Sequence, residues 1–111
     1  MRRAAVAASL ACVVASLCAA AAEPAPALPD LILANHCDEC HTLSTVRIGP
    51  PFTAVALRYR AEGEAAVEVL ARKIVLGGGG NWGVVPMVPN ERVSLSDART
   101  MARWIVALPA K

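Results

Sequence analysis

Apolar residues along this 111-residue chain fall into three patterns, and each predicts a different kind of element. The first is an almost unbroken run. After Met1-Arg2-Arg3, Ala, Val and Leu dominate as far as Ala20-Ala21-Ala22. A charged start, an apolar middle and small residues at the end make a secretory signal, and its weakly hydrophobic, alanine-rich composition argues against a retained membrane span. Residues 1–22 are therefore expected to be a cleaved signal peptide, with no stable membrane insertion afterwards. The second pattern is helical. Pro29 and Asp30 read as a first-turn proline and a capping acid, after which Leu31, Ile32 and Leu33 predict a short helix leading to Cys37. Phe52 and residues 54–59 predict another short helix. Val67, Leu70, Ile74 and Val75 give the buried face of a helix from Glu64 to Leu76, capped by Gly77. Ser94, with Asp97 three residues on, starts a last helix whose Ala98, Met101, Ile105 and Leu108 share an inward face, with Trp104 beside it.

The third pattern is punctuation without a period. Glu23-Pro24-Ala25-Pro26 predicts an extended lead-in over 23–30, and Gly49-Pro50-Pro51 forbids helix and forces an extended turn. The four glycines 77–80 lack the spacing and the preceding strand of a phosphate-binding loop, so they read as a tight, adaptable connection. Pro86 and Pro89 then hold residues 82–90 in an irregular, extended path. No strand run is visible, and 31–111 is expected to be one all-α domain.

Composition changes once the leader is set aside. Four cysteines reduce to Cys37 and Cys40, because Cys12 and Cys18 lie in the signal segment, so no disulfide framework remains. Without Arg2 and Arg3, nine basic residues stand against nine acidic ones, and the slight basic excess of the whole chain gives no reason to expect a nucleic-acid partner. A chain of this size is short for a large self-sufficient core. A buried cofactor would supply the missing apolar bulk.

The chemistry is concentrated in Cys37-Asp38-Glu39-Cys40-His41. Cys-x-x-Cys-His (CxxCH) is the attachment pattern for a c-type haem, with two thioether bonds to the porphyrin and the histidine placed to bind iron. Export fits it, since such haem is attached outside the cytoplasm. The iron's second axial position must be filled by another side chain or left to an exogenous ligand. Met101 sits at core spacing on a helix and reads as a packing residue. Met87 lies between two prolines in a non-helical segment, 46 residues beyond His41, far enough along the chain to cross to the other haem face. His36 adjoins Cys37 and reads as a surface or helix-end residue.

With these residues in family order, 31–108 resembles a small bacterial class I cytochrome c of the c-551 type. The likeness runs through Cys37-Asp38-Glu39-Cys40-His41, Ile48-Gly49-Pro50, Lys73-Ile74, the stretch from Trp82 to Asn90, and the Ser94 to Leu108 helix. The resemblance implies four to five short helices wrapped round one covalently attached haem c. It implies Cys37 and Cys40 as thioether residues and His41 and Met87 as metal ligands. It also implies Trp82 and Lys73 near a haem propionate, Asn90 at the methionine sulfur, and the Pro50 carbonyl orienting His41. One departure stands out: Val88-Pro89 follows Met87 where the family commonly has two prolines, so the ligand loop is expected to be less rigid.

The expected function is then a monomeric periplasmic carrier of single electrons between protein redox partners, a donor and an acceptor, rather than an enzyme. A dedicated cytochrome subunit of a larger periplasmic oxidoreductase is the alternative. A thiol-disulfide oxidoreductase using Cys37 and Cys40 would need a strand before the motif in a βαβ unit, and none is visible. A zinc site of His36, Cys37, Cys40 and His41 would lack a separated second ligand pair.

Overall fold

The computed structural model describes residues 27–109, so the expected signal peptide and the proline-rich start of the lead-in lie outside the described residues. Four α-helices follow in order: α1 (Asp30–Ala34), α2 (Phe52–Tyr59), α3 (Glu64–Leu76) and α4 (Leu95–Val106). Single 3-10 turns occupy Cys37–Glu39 and Arg60–Glu62. The described residues contain no named strand, only an isolated antiparallel bridge between Gly78 and Met87. The fold is all-α, as the sequence pattern predicts.

Helix α1 starts differently from the sequence expectation. Pro29 is not the first helical residue but the N-cap, and Asp30 stands in the first turn without capping through its side chain. The Pro29 carbonyl instead receives the amides of Ile32 and Leu33, which satisfies the turn from the backbone alone. A five-residue helix buries little, and only Ile32 of the three aliphatic residues is fully inside. The helix stops where the Asn35 side-chain amide donates back to the Leu31 carbonyl at 2.8 Å and His36 turns left-handed, with φ of 57°.

The later helices obey their apolar spacing. In α2, Phe52, Val55, Ala56 and Tyr59 are buried at the offsets of one helical face. In α3 the stripe is Ala66, Val67, Leu70, Ala71 and Ile74, while Val75 is only half-buried at its edge. Ser94 caps α4 by accepting the Asp97 amide at 3.0 Å, and Ala98, Met101, Ala102 and Ile105 face inward. Contact between α3 and α4 is the most extensive in the fold, and α2 closes on α4 through the edge of the Phe52 ring against Trp104. Outside that seam, Arg99 meets Glu68 through two bonds and Arg103 meets Glu64 at 2.7 Å. The first pair is half-buried and the second exposed, and both lie at the surface, so they register the helices more than they stabilise them.

Met101 is the most informative core position to truncate, because it is almost wholly buried on α4. Met101→Ala should lower unfolding stability by about 2 to 5 kcal/mol. A urea titration checks this: the midpoint falls while the slope stays near that of the wild type.

Candidate functional site

The 3-10 turn at Cys37–Glu39 decides where the two thiols go. At three residues per turn, positions i and i+3 eclipse, so Cys37 and Cys40 present their sulfurs to one side. Both are free and half-buried. The His41 amide closes on the Cys37 carbonyl at 2.9 Å, which holds the imidazole directly beyond the turn.

That imidazole is fixed on three sides. Its Nδ1 lies 2.8 Å from the Pro50 carbonyl oxygen. A carbonyl can only accept, so Nδ1 carries a proton, and in the neutral ring the lone pair is on Nε2. Phe52 stacks on the ring at 5.3 Å between centroids. Gly49 presses against it so closely that a Cβ there would stand 2.5 Å from His41 Cε1, which is why the turn before Pro50-Pro51 needs a glycine. Arg47 ties the same loop to the motif by donating to the Asp38 carbonyl at 3.0 Å.

Met87 is held by backbone rather than by side chains. Its amide donates to the Gly78 carbonyl at 2.7 Å, and its carbonyl accepts the Gly78 amide at 2.9 Å. The approach is possible because Gly77 has no side chain: a Cβ there would collide with the Met87 carbonyl oxygen. Asn90 then stitches the segment to the end of α3, its amide donating to Val75 and its side-chain Nδ2 to the Ile74 carbonyl at 2.9 Å. The second Nδ2 hydrogen remains for another acceptor.

These segments surround one cavity of about 470 Å³, within the range of ligand pockets. Cys37, Cys40, His41, Pro50, Lys73, Trp82, Met87 and Asn90 all line it. Its apolar wall comes from α3 and α4, through Leu70, Ile74, Met101 and Ile105. Met101 is thus both core and cavity lining. Lys73 is half-buried on α3, and Trp82 stands at the rim with 43% of its surface exposed. Sequence reasoning missed Arg58, whose guanidinium carbon lies 5.0 Å from the Trp82 ring centroid. No motif flags it, because it reaches the rim only through the folded end of α2.

The donor set fits a haem. Two thiols, an imidazole with a free nitrogen and a thioether meet in an apolar cavity, and together they match thioether attachment and iron ligation. The arrangement suits the other chemistries poorly. Burial, and after it the Asp38 charge, pushes the Cys37 thiol above its ordinary pKa, the opposite of what an attacking redox thiol requires. His36 turns outward to Glu39 at 3.6 Å, and among the described residues no three His, Cys, Asp or Glu side chains gather as a metal cluster.

The chain is similar to known proteins in both sequence and fold. Cytochrome c-551 of Allochromatium vinosum is 42% identical over 84 residues, covering 74% of this chain and 88% of the relative. Cytochrome c-552 of Nitrosomonas europaea is 42% identical over 79 residues, covering 71% of this chain and 76% of the relative. The crystal structure of the wild-type Nitrosomonas europaea cytochrome c552 superposes with a TM-score of 0.68 at 41% identity, covering 72% of this chain and 98% of that one. No family model matches the chain. With relatives this similar over three quarters or more of their length, the chain belongs to the small bacterial class I cytochromes c of the c-551/c-552 type, electron-transfer proteins with a covalently attached haem c.

Proposed function

We propose that this cytochrome is a periplasmic single-electron carrier in which Cys37 and Cys40 hold the haem as thioethers and His41 and Met87 ligate its iron on the two faces. The reading rests on one observation: both thiols, the thioether and an imidazole whose Nδ1 is already engaged line the same cavity. Iron in that cavity supplies the one-electron couple. The chain's residues do the rest. Cys37 and Cys40 would hold the group by adding their S–H bonds across its two vinyl groups, sulfur to one carbon and hydrogen to the other, with no net oxidation. His41 offers Nε2 because Pro50 occupies the other nitrogen, and Met87 offers a soft sulfur that favours the ferrous state and so a relatively high potential. Leu70, Ile74, Met101 and Ile105 keep water from the wall of the cavity. Lys73 and Trp82 are assigned to the propionate edge, and Asn90 to the methionine side.

With His41 and Met87 both holding the iron, the chain would leave no open position for a substrate, which favours a carrier over an enzyme. A signal at residues 1–22 would deliver the protein to the compartment in which haem is attached, and among the described residues no helix is long and apolar enough to cross a membrane. Docking is assigned to the segment around Met87. Val84, Val85 and Val88 are 98%, 61% and 70% exposed beside the cavity, and no charge interrupts residues 82 to 90 before Glu91. An apolar patch at a redox centre suits a small, transient contact with a donor or an acceptor protein by a monomeric carrier.

Protein exported from an expression host should begin at Glu23 and weigh the peptide plus one haem, and acidified organic solvent should fail to extract the cofactor. Complete extraction would overturn thioether attachment. Oxidised protein should show the weak far-red charge-transfer band of sulfur-ligated ferric haem. Met87→Ala should abolish the band and raise affinity for imidazole or cyanide more than ~10-fold, over 1.4 kcal/mol, because no chain ligand competes. A band that survives this substitution would move the ligand elsewhere. Val88→Glu should slow electron exchange with the native partner while leaving the spectrum intact, and wild-type rates should change little with ionic strength, given the balanced charge. A steep salt dependence would place docking on a charged face instead.

A further inference from the structure

The segment between the Gly78–Met87 bridge has almost nothing of its own to hold it. Among the described residues, 79–86 take part in a single hydrogen bond, and its donor is Arg58 Nη1, 2.7 Å from the Asn81 carbonyl. The same guanidinium lies over the Trp82 ring at 5.0 Å and over Tyr59 at 5.7 Å. Tyr59 is buried in the core at the end of α2, so the cation is anchored to fixed structure on one side and grips the loop on the other. The loop's own backbone is permissive: Gly80 and Gly83 have φ of 84° and 118°. Arginine suits the task, because a planar guanidinium can stack on an indole and donate in its own plane at once, and lysine cannot.

We propose that Arg58 is the latch of the haem cavity: it positions Trp82 over the mouth and keeps residues 79–86 closed, and thereby sets both the stability of the methionine ligation that follows and the polarity seen by the iron. This rests on the haem reading above. Met87 ends the latched segment, so opening the loop loosens Met87 and admits water. Water and the loss of a fixed positive charge both favour ferric iron, so unlatching lowers the potential.

The test compares haem-loaded wild type, Arg58→Leu and Arg58→Lys. Amide hydrogen exchange of residues 79–86, the mobility of the Trp82 indole N–H by NMR, the rate of imidazole binding to the ferric form, and the reduction potential are measured on each. In Arg58→Leu the loop amides and the Trp82 indole should become mobile, and imidazole should bind roughly tenfold faster, as expected when a charge-assisted hydrogen bond no longer opposes opening. The potential should fall. Arg58→Lys should share the mobility and the faster binding but lose less potential, since it keeps the charge without the stack. A loop as protected in both variants as in the wild type, with unchanged imidazole binding, would overturn the latch. The two ideas fail separately: a wild type without covalent haem removes the cofactor reading, whereas fully loaded variants with wild-type loops and potentials remove the role of Arg58.

Discussion

The contact between His41 Nδ1 and the Pro50 carbonyl governs how the rest of the molecule is arranged. Committing one imidazole nitrogen to a hydrogen bond fixes which nitrogen a metal meets and how the ring is turned, and here the commitment is made by a backbone group in a stretch where two consecutive prolines leave little freedom. Everything near that contact serves it. Gly49 clears the space, Phe52 supports the ring as the first residue of α2, and the same phenyl ring passes the support on to Trp104 in α4. The orientation of one side chain is thus tied to the packing of two helices.

The methionine side is built on other principles. Met87 is placed by two backbone hydrogen bonds to a glycine-rich segment, and the residue after it is an exposed valine, which restricts the backbone less than a proline would. One wall of the cavity is therefore stiff by covalent restriction and stacking, and the other is held by a few polar contacts over permissive backbone. Local stability follows the density of buried contacts, so the segments that carry His41 and Met87, the two proposed ligands, differ in how easily each can open. That asymmetry suits the proposed carrier, in which the methionine sulfur lies next to the surface assigned to partners.

Most of the fold was legible because its signals are local. Val67, Leu70 and Ile74 mark α3, Ser94 with Asp97 marks the start of α4, and the prolines at 50, 51, 86 and 89 bound the irregular segments. The start of α1 was misread, since proline at a helix start can stand either just inside or just outside it and the sequence holds no side-chain cap to decide. Of the eight expected site residues that line the cavity, Cys37, Cys40 and His41 were legible in the Cys-x-x-Cys-His motif and Met87 in its place between two prolines, whereas Pro50, Lys73, Trp82 and Asn90 came only from the family resemblance. Arg58 and the Gly78–Met87 bridge were not legible. Both depend on segments brought together by folding, and an arginine among many or a glycine within a run of four carries no mark of its eventual neighbour.

Four alanines, Ala66 and Ala71 on α3 and Ala98 and Ala102 on α4, have no exposed surface at all. They belong to the two helices that touch most, and none of them lines the cavity, yet Leu70, Ile74, Met101 and Ile105 of the same helices do. Small side chains let two helix axes draw near, and each added methyl group would drive them apart. The alanine seam thus works as a gauge block, fixing from behind the width of a chamber it never meets. Tolerance for a flat, rigid guest is machined into the protein at a distance from where the guest sits, and a mutation screen confined to the chamber's own lining would overlook the part that sets its size.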